Sequence, residues 1–190
     1  MKYFLDTEFI ERPGSIQLIS IGIVAEDGRE YYQIARGFDY QEVWCDDWLR
    51  QNVISQILSE SSNGYGVTPD ITYDSMVQVF ESSALWTHEI AKEVLDLIGD
   101  DSDPKFYGYY ADYDWVVFCW LFGRMIDLPK NFPMYCRDLK QMLAERELGK
   151  GWVKSMCPQT ENEHNALADA RWNKKLYEAI KNDDFHYSGI

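Results

Sequence analysis

No run of this chain approaches the ~20 consecutive apolar residues that a helix needs to cross a bilayer. The opening residues, MKYFLDTEFI, hold no long apolar region ahead of a cleavage site. No signal peptide is therefore expected, and a cytoplasmic protein with no membrane partner is the default reading. Cysteine is sparse. Cys45, Cys119, Cys136 and Cys157 form neither a C-x-x-C pair nor a zinc-finger spacing, so they are expected to be free thiols serving as small core residues. Basic residues are also few, 18 Lys and Arg against 32 Asp and Glu, for a formal net charge of −14. That balance argues against non-specific binding to nucleic acid through a global field. There is no internal repeat and no low-complexity segment, and 190 residues suit a single domain over 1–190.

The charge is unevenly spread. Residues 1–136 carry 9 basic against 23 acidic side chains, whereas residues 137–175 carry 8 against 6. The later stretch is thus the better face for an anionic partner, although solvated charges vary in this way by chance.

Alternation and turn signals organise the chain. KYFLDTEFI (2–10) reads as a strand, Pro13–Gly14 break it, and SIQLISIGIV (15–24) is a nearly continuous apolar strand. Asp27–Gly28 marks a hairpin into EYYQIA, so an antiparallel three-strand meander is expected. Helical patterns come next. Residues 46–58 put Trp48, Val53, Ile54, Ile57 and Leu58 on one side, with Asp46 or Asp47 as the cap. The Ser- and Gly-rich residues 59–70 read as a loop, and 73–80 as a short helix. THEIAKEVLDLIG reads as a helix capped by Thr87 and ended by Gly99. KFYGYYA then reads as a strand, DYDWVVFCWLFGRM as an apolar helix, and MYCRDLKQMLAEREL as an extended piece running into a helix. Residues 149–163 read as a loop before a last helix, NALADARWNKKLYEAIKN. The order predicts an α/β fold, a mixed sheet flanked by helices.

Within the first strand, FLDTEF places Asp6 and Glu8 on one face, roughly 7 Å apart. The neighbouring apolar strand offers no base to offset two anions. Either the face is solvated, or a divalent cation with a preference for hard oxygen ligands, Mg²⁺ or Mn²⁺, joins them. A second acidic pair, Asp112 and Asp114, lies where a strand hands over to a helix. One of the two can be an N-cap, and the C-terminal end of a strand is where α/β sheets place their sites. A third group is EHNALADA, with His164 ahead of the final helix and Asp169 inside it. THEIAK begins like a zinc-protease motif, but Lys92 stands where the second histidine belongs, leaving His88 as a helix-surface residue.

Taken in order, Asp6-x-Glu8, an Asp at the start of a middle helix, and His164 followed five residues later by Asp169 resemble the DEDDh 3′→5′ exonucleases. That superfamily includes RNase T, oligoribonuclease and the proofreading domain of DNA polymerase III. FLDTEF, YYADYDWVVFCWLFG and HNALADARW are further similar to the small bacterial exoribonucleases called RNase AS, which prefer polyadenylate. The resemblance covers almost the whole chain and implies a ribonuclease H-like fold. The family's middle motif often reads His-Asn-x-x-Phe-Asp, where this chain has YYADYD. Aligning Phe-Asp with Tyr113–Asp114 makes Asp114 the third acid, and Asp112 remains its competitor.

The resemblance implies two Mg²⁺ or Mn²⁺ ions held by Asp6, Glu8, Asp114 and Asp169, with His164 as general base and Glu8 sharing in catalysis as a ligand. It implies release of nucleoside monophosphates from the 3′ end of single-stranded or overhanging RNA, and a homodimer. An RNA-specific contact to the 2′-hydroxyl is expected near Glu8. Phe9 and Trp115 lie beside these ligands and are candidates for stacking on the terminal base, or equally for the core. Lys150, Lys154, Arg137 and Arg171 are candidates for backbone contact. The same chemistry on DNA, or an inactive nucleic-acid-binding module, are the competing readings.

Overall fold

Alternating β-branched and aromatic residues carry the chain into β1 (Lys2–Arg12), β2 (Ser15–Ala25) and β3 (Glu30–Ile34). A computed structural model describes residues 1–61, 71–159 and 163–183. The later strands are short, β4 (Lys105–Gly108) and β5 (Arg137–Asp138). The five form one mixed sheet in the order β3-β2-β1-β4-β5. β1 pairs antiparallel with β2, and β2 antiparallel with β3. β4 runs parallel to β1, and β5 parallel to β4.

Helices cover both faces of the sheet. Tyr3, Leu5, Ile21, Ile23 and Phe106 pack against α5 (Thr87–Ile98) and α6 (Asp112–Trp120). On the other face Phe4 and Tyr107 pack with α7 (Leu139–Glu145) and α9 (Ala166–Asn182) through Leu139, Leu143, Trp172, Leu176 and Ile180. A third core joins Ile10, Ile19 and Ile34 to α1 (Tyr40–Cys45), α2 (Asp47–Leu49), α3 (Ser55–Ser61) and α4 (Tyr73–Ser83). Between α2 and α3 the residues Arg50–Ile54 form a π-helical turn. No described helix is long and apolar enough to cross a membrane.

Several expectations need correction. The helix expected at 46–58 forms with Asp46 as its cap, accepting from the N–H groups of Trp48 and Leu49, and runs through α2, the π-helical turn and α3; what departs is the placing of Trp48, which the π-helical turn rotates relative to the residues beyond it. Trp48 is consequently half exposed, apart from the core that Val53, Ile54, Ile57 and Leu58 enter. Thr87 is the first residue of α5 rather than its cap; the Glu89 carboxylate accepts from the Trp86 N–H at 2.9 Å instead. The loop expected at 149–163 contains α8 (Lys150–Met156), and its residues 160–162 lie outside the described ones. In the loop expected at 59–70, residues 59–61 complete α3, while 62–70 lie outside the described residues. Cys119 and Cys157 are buried free thiols, whereas Cys45 is exposed.

Candidate active site

Strand parity builds the first part of the site. Phe4 faces α9 with the core of that side, and Asp6 and Glu8 continue along the same face. At its end the ladder is irregular: Glu8 pairs with Ser20 but Phe9 with Leu18, a bulge of the kind that re-aims side chains near binding sites.

Helix α9 supplies the next acid because it approaches the sheet very closely. Asp6 stands opposite Gly22, and a Cβ at Gly22 would fall 2.2 Å from the carbonyl oxygen of Ala166. Only glycine leaves room for the start of α9 to lie there. Asn165 caps the helix by accepting from the Ala168 N–H at 2.9 Å. Further along the helix, the buried Asn173 Nδ2 donates to the Leu5 carbonyl at 2.9 Å and pins α9 to β1. Asp169 thereby reaches Asp6 and Glu8. One carboxylate oxygen from each of the three lies within 4.8 Å of the others.

Asp114 arrives from α6. Its Oδ1 accepts both the Thr7 N–H, at 2.8 Å, and the Thr7 hydroxyl, at 2.6 Å. Thr7 is thus the residue between the two β1 acids and also the clamp for the acid of α6. Asp112 is exposed and does not line the cleft. Ala111 occupies the N-cap position of α6, and its N–H donates to Asp138 Oδ2 at 2.9 Å.

His164 precedes α9 with φ +68°, a left-handed conformation that is uncommon for a residue with a side chain. Its backbone N–H donates to Asp169 Oδ2 at 2.8 Å, and Gln159 Nε2 approaches Asp169 Oδ1 at 3.4 Å. The imidazole meets the Trp48 indole edge-on, ring centres 4.8 Å apart.

These residues share a cleft of about 400 Å³, walled by Phe9, Trp48, Tyr109, Tyr110 and Tyr113. Its lining includes no Lys or Arg among the described residues. Burial, then the neighbouring carboxylates of Asp114, Glu8 and Asp169, push the Asp6 carboxyl well above the ordinary range. Burial first, then the carboxylates of Asp169 and Asp114, push Glu8 to about 8. Burial raises Asp114 to about 6 against the opposing pull of the Thr7 hydrogen bonds. Burial likewise raises Asp169, against the His164 N–H that favours its anion. A cluster of carboxyl groups with no Lys or Arg on its described lining fits a hard divalent cation, whose charge reverses these shifts. Asp6, Glu8 and Asp169 are the residues placed to hold one.

Of the other candidates, Phe9 lines the cleft and meets Tyr113 edge-on at 5.9 Å. Trp115 does not line it: the side chain is 7% exposed and packs between Phe106 and Phe118, because its position on α6 faces the sheet. Of the two roles expected for it, stacking and core, Trp115 therefore takes the core one, and the substrate-stacking reading is corrected. Arg171 is engaged by Glu30, with Nε 2.9 Å from Oε1, and Arg137 lies over the rings of Tyr107 and Tyr135 outside the cleft. Sequence reasoning misses the roles of Trp48, Thr7 and Gly22 at this site. The interposed Thr of D-T-E is visible in the sequence, but nothing local marks Gly22.

Residues 1–181 match the model of the 3'-5' exoribonuclease Rv2179c-like domain family. Two Mycobacterium tuberculosis proteins are each 33% identical to the chain over 184 residues, 97% of this chain and 95% of theirs. They are 3'-5' exoribonuclease MT2234.1, of strain CDC 1551 / Oshkosh, and 3'-5' exoribonuclease Rv2179c, of strain ATCC 25618 / H37Rv.

Proposed function

The chain belongs to the 3'-5' exoribonuclease Rv2179c-like domain family, and on that basis we propose that it removes nucleoside monophosphates from RNA 3′ ends. The observation that carries this reading is the convergence of Asp6, Glu8 and Asp169 within 4.8 Å, in a cleft whose described lining offers no Lys or Arg. The mixed sheet with helices on both faces is compatible with a ribonuclease H-like fold, and the acids with the DEDDh pattern. From the resemblance to RNase AS we carry over a preference for polyadenylate, a homodimer and a cytoplasmic location.

Asp6, Glu8 and Asp169 would hold the first of two Mg²⁺ or Mn²⁺ ions. Asp6 and Asp114 would hold the second, with Thr7 fixing the Asp114 carboxylate through Oδ1. When bound, such a pair supplies charge neutralisation at the reacting phosphate and acidifies water. His164 receives the proton of the attacking water on its imidazole. It stands ahead of α9 with its ring edge-on to Trp48, while the bond from its N–H to Asp169 fixes the backbone. Phe9, Tyr113 and Trp48 line the cleft where the terminal base enters, and stacking on such rings holds a base without reading its identity.

The test is incubation of 5′-labelled, sequence-matched RNA and DNA strands, and of the four homopolymer RNAs, with Mg²⁺ or with EDTA. A ladder shortening from the 3′ end on RNA, fastest on polyadenylate and absent in EDTA, is the expected result. Degradation of DNA alone, or activity in EDTA, overturns the proposal. Binding to RNA with no cleavage in either metal makes the chain an inactive binding module.

A further inference from the structure

A second cavity of about 360 Å³ adjoins the cleft. Tyr109, Gln159 and Trp172 line both, so the two are immediate neighbours. Its character differs sharply from the acidic cleft. Lys140 of α7 and Lys150 and Lys154 of α8 surround it. Lys150 and Lys154 are four residues apart and so share one helix face. None of the three forms an ion pair among the described residues. Glu163 is the single carboxylate on the described lining. Val153, Cys157 and Trp172 supply its apolar lining, the last two largely buried in the core beneath. The Trp172 indole is held in place, its Nε1 donating to the Cys157 carbonyl at 3.0 Å and its ring 5.1 Å from Tyr109.

A cavity lined in part by apolar side chains and in part by three lysines fits a nucleotide, whose base is apolar on its faces and whose phosphates are anionic. In a chain of net charge −14, three lysines outside any ion pair among the described residues, on a cavity whose described lining holds one carboxylate, are otherwise hard to account for. We propose that this cavity is the subsite for the nucleotide on the 5′ side of the one removed. Its base enters the cavity beside the half-buried Val153, and the phosphates further along the strand meet Lys140, Lys150 and Lys154. The proposal rests on the exoribonuclease reading of the cleft. It gives that reading a direction: the 3′ nucleotide lies at the acids, and the strand leaves across α8.

The experiment compares kcat/KM on tetra-adenylate with kcat/KM on the p-nitrophenyl ester of thymidine 5′-monophosphate, which has one phosphodiester and no upstream phosphate. In the Lys150→Ala/Lys154→Ala double variant the ratio of the two is expected to fall tenfold or more, with Lys150→Arg/Lys154→Arg restoring most of it. Each phosphate contact contributes about 0.7 to the slope of log affinity against log salt on a single strand. The double alanine variant is therefore expected to flatten the salt dependence of KM for tetra-adenylate by about 1.4. An unchanged ratio and slope, or an equal loss on both substrates, overturns the subsite and leaves the reading of the cleft standing. A wild-type protein inert on both substrates overturns that reading, and the subsite with it.

Discussion

The backbone N–H of His164 donates to the carboxylate of Asp169 at 2.8 Å, five residues along the chain. One side chain is thus both a member of the acidic triad and the anchor of the only histidine among the described residues of the cleft. The left-handed backbone of His164 costs on the order of 1 kcal/mol or more, and the hydrogen bond to an anion offsets it. The two residues are therefore expected to fail differently. His164→Ala should lower kcat by at least ~100-fold while leaving the affinity for Mn²⁺ within about twofold, since the imidazole is not among the clustered ligands. Asp169→Ala should lose both. Isothermal titration with Mn²⁺, set beside single-turnover rates, separates them; loss of Mn²⁺ binding in His164→Ala would make the imidazole a ligand.

Thr7 decides between the acids of YYADYD. Because Asp114 is clamped by the Thr7 N–H and hydroxyl while Asp112 is exposed, Asp114→Ala should abolish turnover and Asp112→Ala should keep it within about threefold. Thr7→Val keeps the shape and the backbone bond but removes the hydroxyl donor. With that donor gone, the Asp114 carboxyl, already raised to about 6 by burial, moves further up. A proton held more tightly on Asp114 competes with the cation, so the pH at which Mn²⁺ affinity is half lost should shift upward in Thr7→Val, and a pH dependence of Mn²⁺ binding identical to wild type would remove Thr7 from the site.

The cluster also makes the metal-free protein sensitive to alkali. Glu8 has an ordinary value near ~4.3 when unfolded and about 8 when folded. A group raised in the folded state binds its proton more tightly there. Its stabilising contribution is complete below its unfolded value and is lost as the pH rises through the folded one. In EDTA, melting temperature should therefore fall between about pH 5 and about pH 8.5. Glu8→Gln should melt higher than wild type at the upper end of that range and show a shallower fall. Mg²⁺ or Mn²⁺ should raise the wild-type value there and do less for Glu8→Gln. Differential scanning fluorimetry at several pH values checks all three, and a Glu8→Gln protein that melts lower than wild type in alkaline EDTA would contradict them.

How much of this can be read in the sequence depends on whether a residue's role is local. The parity of Asp6 and Glu8 is a property of one strand, and the His164–Asp169 spacing a property of one helix start. Both survive the loss of all three-dimensional information. The spacing of Trp48 fits an amphipathic helix and so points to the core, but the π-helical turn at Arg50–Ile54 breaks the periodicity on which that reading rests. Trp115 lies one residue from Asp114, so proximity in sequence suggests the cleft. A helix sends neighbours about 100° apart, and this one faces Phe106 and Phe118. The basic rim is visible only in part. Lys150 and Lys154 stand out by charge, whereas Lys140 joins them only because α7 and α8 meet around one cavity.

Gly22 shows the same limit most sharply, and it makes the strongest structural prediction. In the sequence it is one small residue in an apolar strand, SIQLISIGIV, with nothing to mark it. In the fold a methyl group there would lie 2.2 Å from the Ala166 carbonyl oxygen and 2.4 Å from the Leu167 nitrogen, both backbone atoms that no rotamer change can move aside. Gly22→Ala must therefore push the start of α9 off the sheet or bend β2. Overpacking of this kind costs about 1–3 kcal/mol, roughly 2–12 °C in melting temperature for a chain of this size. The displacement carries Asp169 away from Asp6 and Glu8, so turnover and Mn²⁺ affinity should fall together even though no ligand has been altered. A Gly22→Ala protein with wild-type Mn²⁺ affinity would mean that the close approach of α9 is not what assembles the acids.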